Sequence, residues 1–276
     1  MRQKLGQHFL KNKKYLGKIV DNLLLKEKDV VIEIGSGHGE LTFEIINKLK
    51  SLNINNFKIF AIEKDPILAK KLKMDIENLT TGNKIEIFEG DVLKQIPIIL
   101  SSEILDRKSY KLVGNIPYYL TGFLFRFLGG LKNKPKIIVF TVQKEVAQRI
   151  VSKPPKMNIL AASIKFWSAP KIIDFVPRNN FLPMPKVDSA IIKLDCAEKI
   201  NPSSKESKDY YQLVKILFKQ PRKTILNNIL SDRKTFLLTK KERIAKKIIN
   251  IGISPLLRPQ NLSIENIKNL SRILYN

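Results

Sequence analysis

Between residues 30 and 142, short apolar runs alternate with longer stretches of helical periodicity, and this alternation constrains the fold more than any other feature. The runs are Val30–Ile34, Lys58–Glu63, Ile85–Phe88, Lys111–Val113 and Lys136–Val142. Each is too short for a helix and nearly continuous in apolar side chains, as strands covered on both faces are. Helical patterns over about 40–50, after Asp65-Pro66 and over Leu120–Leu128 supply crossovers. Asp suits the cap and Pro the first turn of the helix they open. Strands joined by helices predict an α/β fold with a largely parallel, doubly wound, Rossmann-like sheet. A helix over 13–25 precedes the first strand, and helices over Gln143–Val151 and near 157–167 follow the fifth. Lys171–Val176 and Ser189–Leu194 read as two last strands, joined by a loop holding Pro177, Pro183 and Pro185, and they can add an antiparallel edge.

After Leu194 the pattern changes. Residues 197–208 are polar and read as a linker, and residues 209–276 carry only helical spacing, as in Tyr211, Val214, Leu217 and Phe218. Two domains are expected, 1–195 and 196–276, which the 276-residue length allows. The net charge is +25, and it is lopsided: +4 over residues 1–110 against +21 over residues 111–276. A field of that sign points to a polyanion, most simply nucleic acid. Lys219, Arg222 and Lys223 at an expected helix start, and Lys240, Lys241, Arg243, Lys246 and Lys247, are the densest clusters of the helical domain. A single cysteine, Cys196, excludes an internal disulfide, and two histidines are too few for a histidine-based metal cluster, so no metal is expected. The first residues lack the apolar core of a signal peptide, and no uncharged apolar run approaches the roughly 20 residues of a membrane helix. A soluble, cytoplasmic protein is expected.

Gly35-Ser-Gly-His-Gly39 follows the first strand at once, the place for a nucleotide-binding turn. A dinucleotide fingerprint would put a third small residue at the sixth position, where this chain has Glu40. A carboxylate there has the wrong sign for a pyrophosphate at a helix N-terminus. A cofactor without phosphates fits better, and S-adenosylmethionine is one. Glu63 ends the second strand, where a carboxylate can accept both ribose hydroxyls, and Asp91 follows the third, where it can accept from the adenine amine.

The fourth strand runs into Gly114-Asn-Ile-Pro-Tyr-Tyr119. Asn115 brings an acceptor oxygen without charge, Ile116 before Pro117 is pushed to an extended backbone with its carbonyl outward, and Tyr118 offers a flat face. Together they suit a planar group bearing an exocyclic amine.

The chain resembles the rRNA adenine N6,N6-dimethyltransferases, of the small-subunit methyltransferase A type. The segments that carry the likeness are Lys4-Leu-Gly-Gln-His-Phe-Leu10, Val31-Ile-Glu-Ile-Gly-Ser-Gly37, Ile62-Glu-Lys-Asp65, Gly114-Asn-Ile-Pro-Tyr118, Gln143-Lys-Glu-Val146, Phe181-Leu-Pro-Met-Pro-Lys-Val-Asp-Ser-Ala190 and Phe218-Lys-Gln-Pro-Arg-Lys-Thr224. The resemblance implies a class I S-adenosylmethionine-dependent methyltransferase sheet with a helical C-terminal domain that binds RNA and the ribosome. It implies dimethylation of two adjacent adenosines near the 3′ end of 16S rRNA, within an assembling subunit, by a monomer. Cofactor contacts then fall on His8, Leu10, Gly35, Gly37, Glu63, Asp91 and Asn115. Catalysis falls on Asn115, Ile116, Pro117 and Tyr118, and substrate contacts on Tyr118, Phe181, Lys219, Arg222 and Lys223. The family commonly has Asn where this chain has His8, a change that a backbone contact survives and a side-chain amide contact does not. A large-subunit 23S rRNA adenine dimethyltransferase of the antibiotic-resistance type shares the catalytic core, but the Pro-Lys-Val-Asp-Ser-Ala and Gln-Pro-Arg-Lys-Thr segments favour the small-subunit type. A third reading is an assembly factor that binds without turnover.

Overall fold

The structure is a computed structural model that describes residues 7–77, 84–102, 109–196, 201–232 and 240–275. Its contacts divide into two compact units, residues 1–128, 133–147 and 169–198, and residues 129–132, 148–168 and 199–276.

The first unit opens with β1 (Phe9–Leu10) and α1 (Lys13–Asp21), whose first turn is capped by the Asn12 side chain accepting from the Lys14 N–H. Alternation then follows: β2 (Val30–Ile34), α2 (Glu40–Ser51), β3 (Lys58–Glu63), α3 (Pro66–Glu77), β4 (Lys84–Glu89), α4 (Val92–Ser102), β5 (Lys111–Asn115), α5 (Thr121–Gly130) and β6 (Ile137–Gln143). α6 (Lys144–Val151) and α7 (Ile159–Lys165) precede β7 (Ser168–Val176), β8 (Phe181–Leu182) and β9 (Ser189–Cys196). The main sheet has the order β4-β3-β2-β5-β6-β9-β7. The strands β2 to β6 pair in parallel, and β9 runs antiparallel to β6 with Phe140 opposite Ile192. β2 is buried at every position, which is why it reads as an unbroken apolar run. Ile19, Leu23, Ile45 and Leu49 close over one face of the sheet on Val31, Ile59, Val113 and Val139.

The second unit is helical, with α8 (Lys205–Leu217), α9 (Ile225–Ser231), α10 (Lys241–Asn250) and α11 (Ile264–Tyr275). Its core gathers Leu213, Leu217, Ile229, Ile244, Ile248, Ile267 and Leu270. Residues 148–168 group with it rather than with residues 1–147, because Met157, Ala161 and Phe166 enter this core and the Phe166 ring stacks on Tyr210 at 4.0 Å. The change of composition after residue 195 does not register that. Between α8 and α9 the chain turns on the fully buried Asn228. Its amide oxygen accepts from the Gln220 N–H at 3.2 Å, and its NH2 donates to the carbonyls of Gln220, Lys223 and Thr224.

Several elements differ from the sequence reading. The first helix stops at Asp21, because the Asn22 amide folds back on the Lys18 carbonyl and Leu24 takes a positive φ of 52°. Phe9–Leu10 is a strand, paired antiparallel with Phe181–Leu182, a two-residue ladder without a periodicity of its own. α4 was not foreseen, since Pro97 interrupts its pattern. The expected linker is shorter, because Ser204 caps a helix from Lys205. Lys219, Arg222 and Lys223 lie in the turn before α9 rather than at its start, which Thr224 caps. Residues 4–6 of the N-terminal segment and 197–200 of the linker lie outside the described residues.

Candidate active site

The parallel register brings the carboxyl ends of five strands level, with Ile34 beside Ile62 and Gly114, Glu63 beside Glu89, and Asn115 beside Thr141. The strand order reverses between β2 and β5, where open α/β sheets leave a crevice for ligands. The loop after β2 needs its glycines. Gly35, Gly37 and Gly39 have φ of 71°, 56° and 91°, and a Cβ on Gly37 would meet the Phe9 ring at 2.7 Å. Gly114 is close-packed as well, since a Cβ there would overlap the Ile34 carbonyl oxygen.

Glu63 is 3% exposed at the end of β3. Its carboxylate accepts from the Gly37 N–H at 2.8 Å and the Asp65 N–H at 2.9 Å, with the Gln7 amide at 3.4 Å. These bonds offset the cost of burying the charge and tie the glycine loop to β3. Asn115 ends β5. Its Nδ2 donates to the His8 carbonyl at 2.5 Å, which fixes the amide's orientation and leaves Oδ1 as the free acceptor among the described residues. The Ile116 N–H donates to the Thr141 carbonyl at 3.0 Å, so the peptide after Asn115 is held by the neighbouring strand. Pro117 starts a short 3-10 turn over Tyr118–Leu120. The Tyr118 hydroxyl meets the buried Ser189 Oγ at 3.0 Å, and burial raises its pKa against that hydrogen bond. The His8 ring lies 5.8 Å from the Tyr118 ring, and its Nδ1 meets the Pro183 carbonyl at 2.8 Å.

These residues surround a cleft lined by Gly35, Glu63, Asn115, Ile116, Tyr118 and Phe181, among others. A second, smaller cavity shares Phe9, Gly35 and Asn115 with the first and is reached by Leu10, Glu33, Ser36 and Glu40. Among the described residues neither is lined by Lys or Arg. Glu33 Oε1 and Ser36 Oγ are buried without a hydrogen-bond partner among the described residues. This set of groups fits a phosphate-free nucleoside such as S-adenosylmethionine, whose ribose hydroxyls can donate to a carboxylate and whose sulfonium meets no Lys or Arg among the described residues. Among the described residues no group of three or more His, Cys, Asp or Glu is placed to hold a metal, and no helix is long and apolar enough to cross a membrane.

The structure thus collects His8, Gly35, Glu63, Asn115, Ile116, Pro117, Tyr118 and Phe181 around one cleft. Gly37 shapes it through its N–H. Leu10 is a core residue that reaches only the second cavity. Phe181 is 5% exposed and held in β8, so it forms a wall of the cleft rather than a free stacking face. Asp91 lines neither cavity; Oδ1 accepts from the Leu93 N–H at 3.0 Å as a helix cap, and Lys64 stands 3.4 Å from Oδ2. Lys219, Arg222 and Lys223 are exposed on the second unit. Gln7, Phe9, Glu33, Ser36 and Ser189 join the site without having been singled out. Glu33 and Ser36 stood in the strand and loop that pointed to the cofactor, but in sequence nothing separates a buried carboxyl from a solvated one.

Comparison with known proteins agrees with this geometry. The family model for "Ribosomal RNA adenine dimethylase" matches residues 1–268. Among similar curated proteins, a "Ribosomal RNA small subunit methyltransferase A" of Dehalococcoides mccartyi is 34% identical over 98% of this chain and 87% of its own length. One of the same description from Caldanaerobacter subterraneus subsp. tengcongensis is 33% identical over 99% of this chain and 97% of its own. Among solved structures, a dimethyladenosine transferase from Plasmodium falciparum superposes with a TM-score of 0.73 at 24% identity, covering 95% of this chain and 96% of that one. The 23S rRNA methyltransferase ErmE gives 0.71 at 21%, covering 97% and 100%. At those identities the two structures carry the fold, the class I methyltransferase sheet with helices, and the family match carries the chemistry. The chain belongs to the ribosomal RNA adenine dimethylase family.

Proposed function

We propose that the protein dimethylates N6 of two adjacent adenosines near the 3′ end of 16S rRNA, as a cytoplasmic monomer acting on an assembling small subunit. The observation that carries this reading is the oriented Asn115 amide: Nδ2 is committed to the His8 carbonyl, Oδ1 is left as an acceptor, and Asn115 and Ile116 both line the cleft. Two neutral acceptors there can hold both hydrogens of an adenine amine. Holding them favours a pyramidal nitrogen, whose lone pair is otherwise delocalised into the ring. S-adenosylmethionine supplies the electrophilic methyl group. Gly35, the Gly37 loop and Glu63 hold that cofactor, with the His8 backbone nearby. No strong base is needed at the start, because the attacking nitrogen becomes acidic as it gains positive charge; the rate comes from positioning and electrostatics.

The target base must leave its stack. Tyr118 offers it a ring fixed at one end by Ser189, and stacking of that kind is worth roughly 1–3 kcal/mol. The exposed Lys219, Arg222 and Lys223, in the turn that Asn228 pins through the Gln220 and Lys223 backbone, present charge for RNA phosphates. The small-subunit assignment is favoured by relatives at 33–34% identity over nearly the whole chain, which bear that description. The test is incubation with radiolabelled S-adenosylmethionine and immature small subunits, mature small subunits or large subunits. Label confined to two adjacent adenosines of the immature small subunit is expected. Label in the large subunit alone would assign the protein to the other branch, and binding without label would make it an assembly factor.

A further inference from the structure

α5 continues the catalytic loop. The 3-10 turn over Tyr118–Leu120 runs into Thr121–Gly130 without a break, and the Leu120 N–H donates to the Pro117 carbonyl at 2.9 Å. The inner face of α5 is complete: Leu124, Phe125 and Leu128 are buried, and the Phe125 ring meets Phe140 of β6 edge-on at 6.0 Å. The outer face is built differently. Tyr119 is 55% and Phe123 63% exposed, and Gly122 and Arg126 are exposed beside them. Positions three and four apart share one side of a helix, so these four form a single stripe. It starts one residue after Tyr118, which lines the cleft. A Cβ on Gly122 would meet no atom within 4 Å, so nothing fills the stripe beside Tyr119 and Phe123. Arg126 is the one charged residue of α5. Another wall of the cleft ends in the same way: Phe181 is buried there, and Leu182 and Met184 just beyond it are exposed. Single exposed apolar side chains are ordinary, whereas a cluster at the mouth of a site marks a contact surface.

We propose that Tyr119, Gly122, Phe123 and Arg126 form a shelf that takes the nucleobase next to the one in the cleft. Flipping an adenine out of a stacked strand leaves its neighbour with an uncovered face. An aromatic side chain covers such a face whatever the base, and a guanidinium lies on it or pairs with the adjoining phosphate. Gly122 lets the base approach the helix backbone closely, which a side chain there would prevent. The occupant is RNA on two grounds: a cation on a helix without acids suits a phosphate-bearing strand, and the stripe continues the site where the methylated base belongs. Where the two target adenosines adjoin, the shelf holds one while the other reacts, so the strand is not released between targets. The inference rests on the reading that an RNA adenine enters the cleft, and it adds the residues, outside the catalytic loop, that hold its neighbour.

The test is steady-state methylation of immature small subunits by variants of the shelf, with S-adenosylhomocysteine affinity measured alongside by calorimetry. Phe123→Ala should lower kcat/KM for the subunit by about 5- to 150-fold, the worth of one stacked base. Phe123→Leu keeps the apolar bulk without a flat face and should do no better, whereas Phe123→Tyr should restore the wild-type value. Gly122→Leu removes no contact and suits a helix better than glycine does, yet it fills the shelf and should match Phe123→Ala. S-adenosylhomocysteine affinity should be unchanged in all four. Wild-type kcat/KM from both Phe123→Ala and Gly122→Leu would overturn the proposal, and so would full activity from Phe123→Leu. The occupant is read separately, by irradiating the enzyme carrying p-benzoylphenylalanine at position 123 on the same subunits. An adduct on a nucleotide adjoining the methylated pair is expected; an adduct on a ribosomal protein or on a second copy of the chain, or none, would overturn the proposal. A wild-type enzyme that methylates no RNA adenine would overturn the reading beneath it instead.

Discussion

Glu33 is 1% exposed and its Oε2 accepts from Thr42 Oγ1 at 2.5 Å, so Glu33→Gln makes a stability experiment that needs no ligand. In the folded protein burial pushes the Glu33 carboxyl up to about 8, against 4.5 for an unperturbed one, so between those values the folded state binds a proton that the unfolded state has lost. Stability therefore falls as pH rises through that window, by about 1.4 kcal/mol per pH unit. Below about pH 4.5 both states are protonated and there is no penalty; above about 8 the penalty is complete. From pH 6 to pH 8 the wild type should lose about 2–3 kcal/mol through this group. Gln has the same shape, can accept from Thr42 and does not titrate. The wild-type-minus-variant difference in unfolding free energy should thus shift by about 2–3 kcal/mol between pH 6 and pH 8, in favour of the variant at the higher pH. Urea titrations of both proteins at the two pH values measure it. A difference that is the same at both would mean that Glu33 is ionised throughout, and the reasoning from its unpartnered oxygen would fail.

Gly37→Ala should strain a backbone at φ 56° and drive a Cβ into the Phe9 ring; a cost of about 1–3 kcal/mol predicts 5- to 150-fold weaker S-adenosylhomocysteine binding by calorimetry, and unchanged affinity would refute the close-packed loop. Tyr118→Ala should raise the KM for RNA by a similar factor with cofactor affinity intact, measured by filter binding and steady-state kinetics. Replacing Lys219, Arg222 and Lys223 together by Ala should lower the slope of log affinity against log salt for RNA by about 2–3; an unchanged slope would place the phosphate contacts elsewhere.

The parallel sheet was legible because each buried strand is an apolar run ended by a glycine, an acid or an amide, and those ends carry the site. Glu63 and Asn115 could be read from position alone, since a polar residue closing a buried strand has few places to go. Asp91 obeys the same rule and caps the next helix with Oδ1, a duty that asks for the same side chain at a strand end as ligand binding does. Pairing between Phe9–Leu10 and Phe181–Leu182 was invisible for a different reason: two residues have no period, and their partners lie more than 170 positions away. It is nevertheless what sets Phe9 against Gly37 and, through His8, orients Asn115. Membership of residues 148–168 in the helical unit follows from a shared core, which local composition does not record.

The most direct test of the account is single-turnover methylation by wild type and Asn115→Ala, read by mass spectrometry of nucleosides from immature small subunits. Wild type should convert two adjacent adenosines to N6,N6-dimethyladenosine. Losing one preorganised polar group costs about 100-fold in rate or more, so Asn115→Ala should be slower by that factor. Its RNA affinity should be unchanged, because phosphates supply most of that affinity. Monomethylated adenosine should accumulate if the second transfer depends more on this acceptor than the first. Wild-type rates with both methyl groups added by Asn115→Ala would show that Asn115 is a turn residue, and the site described here would not be where the methyl group is transferred.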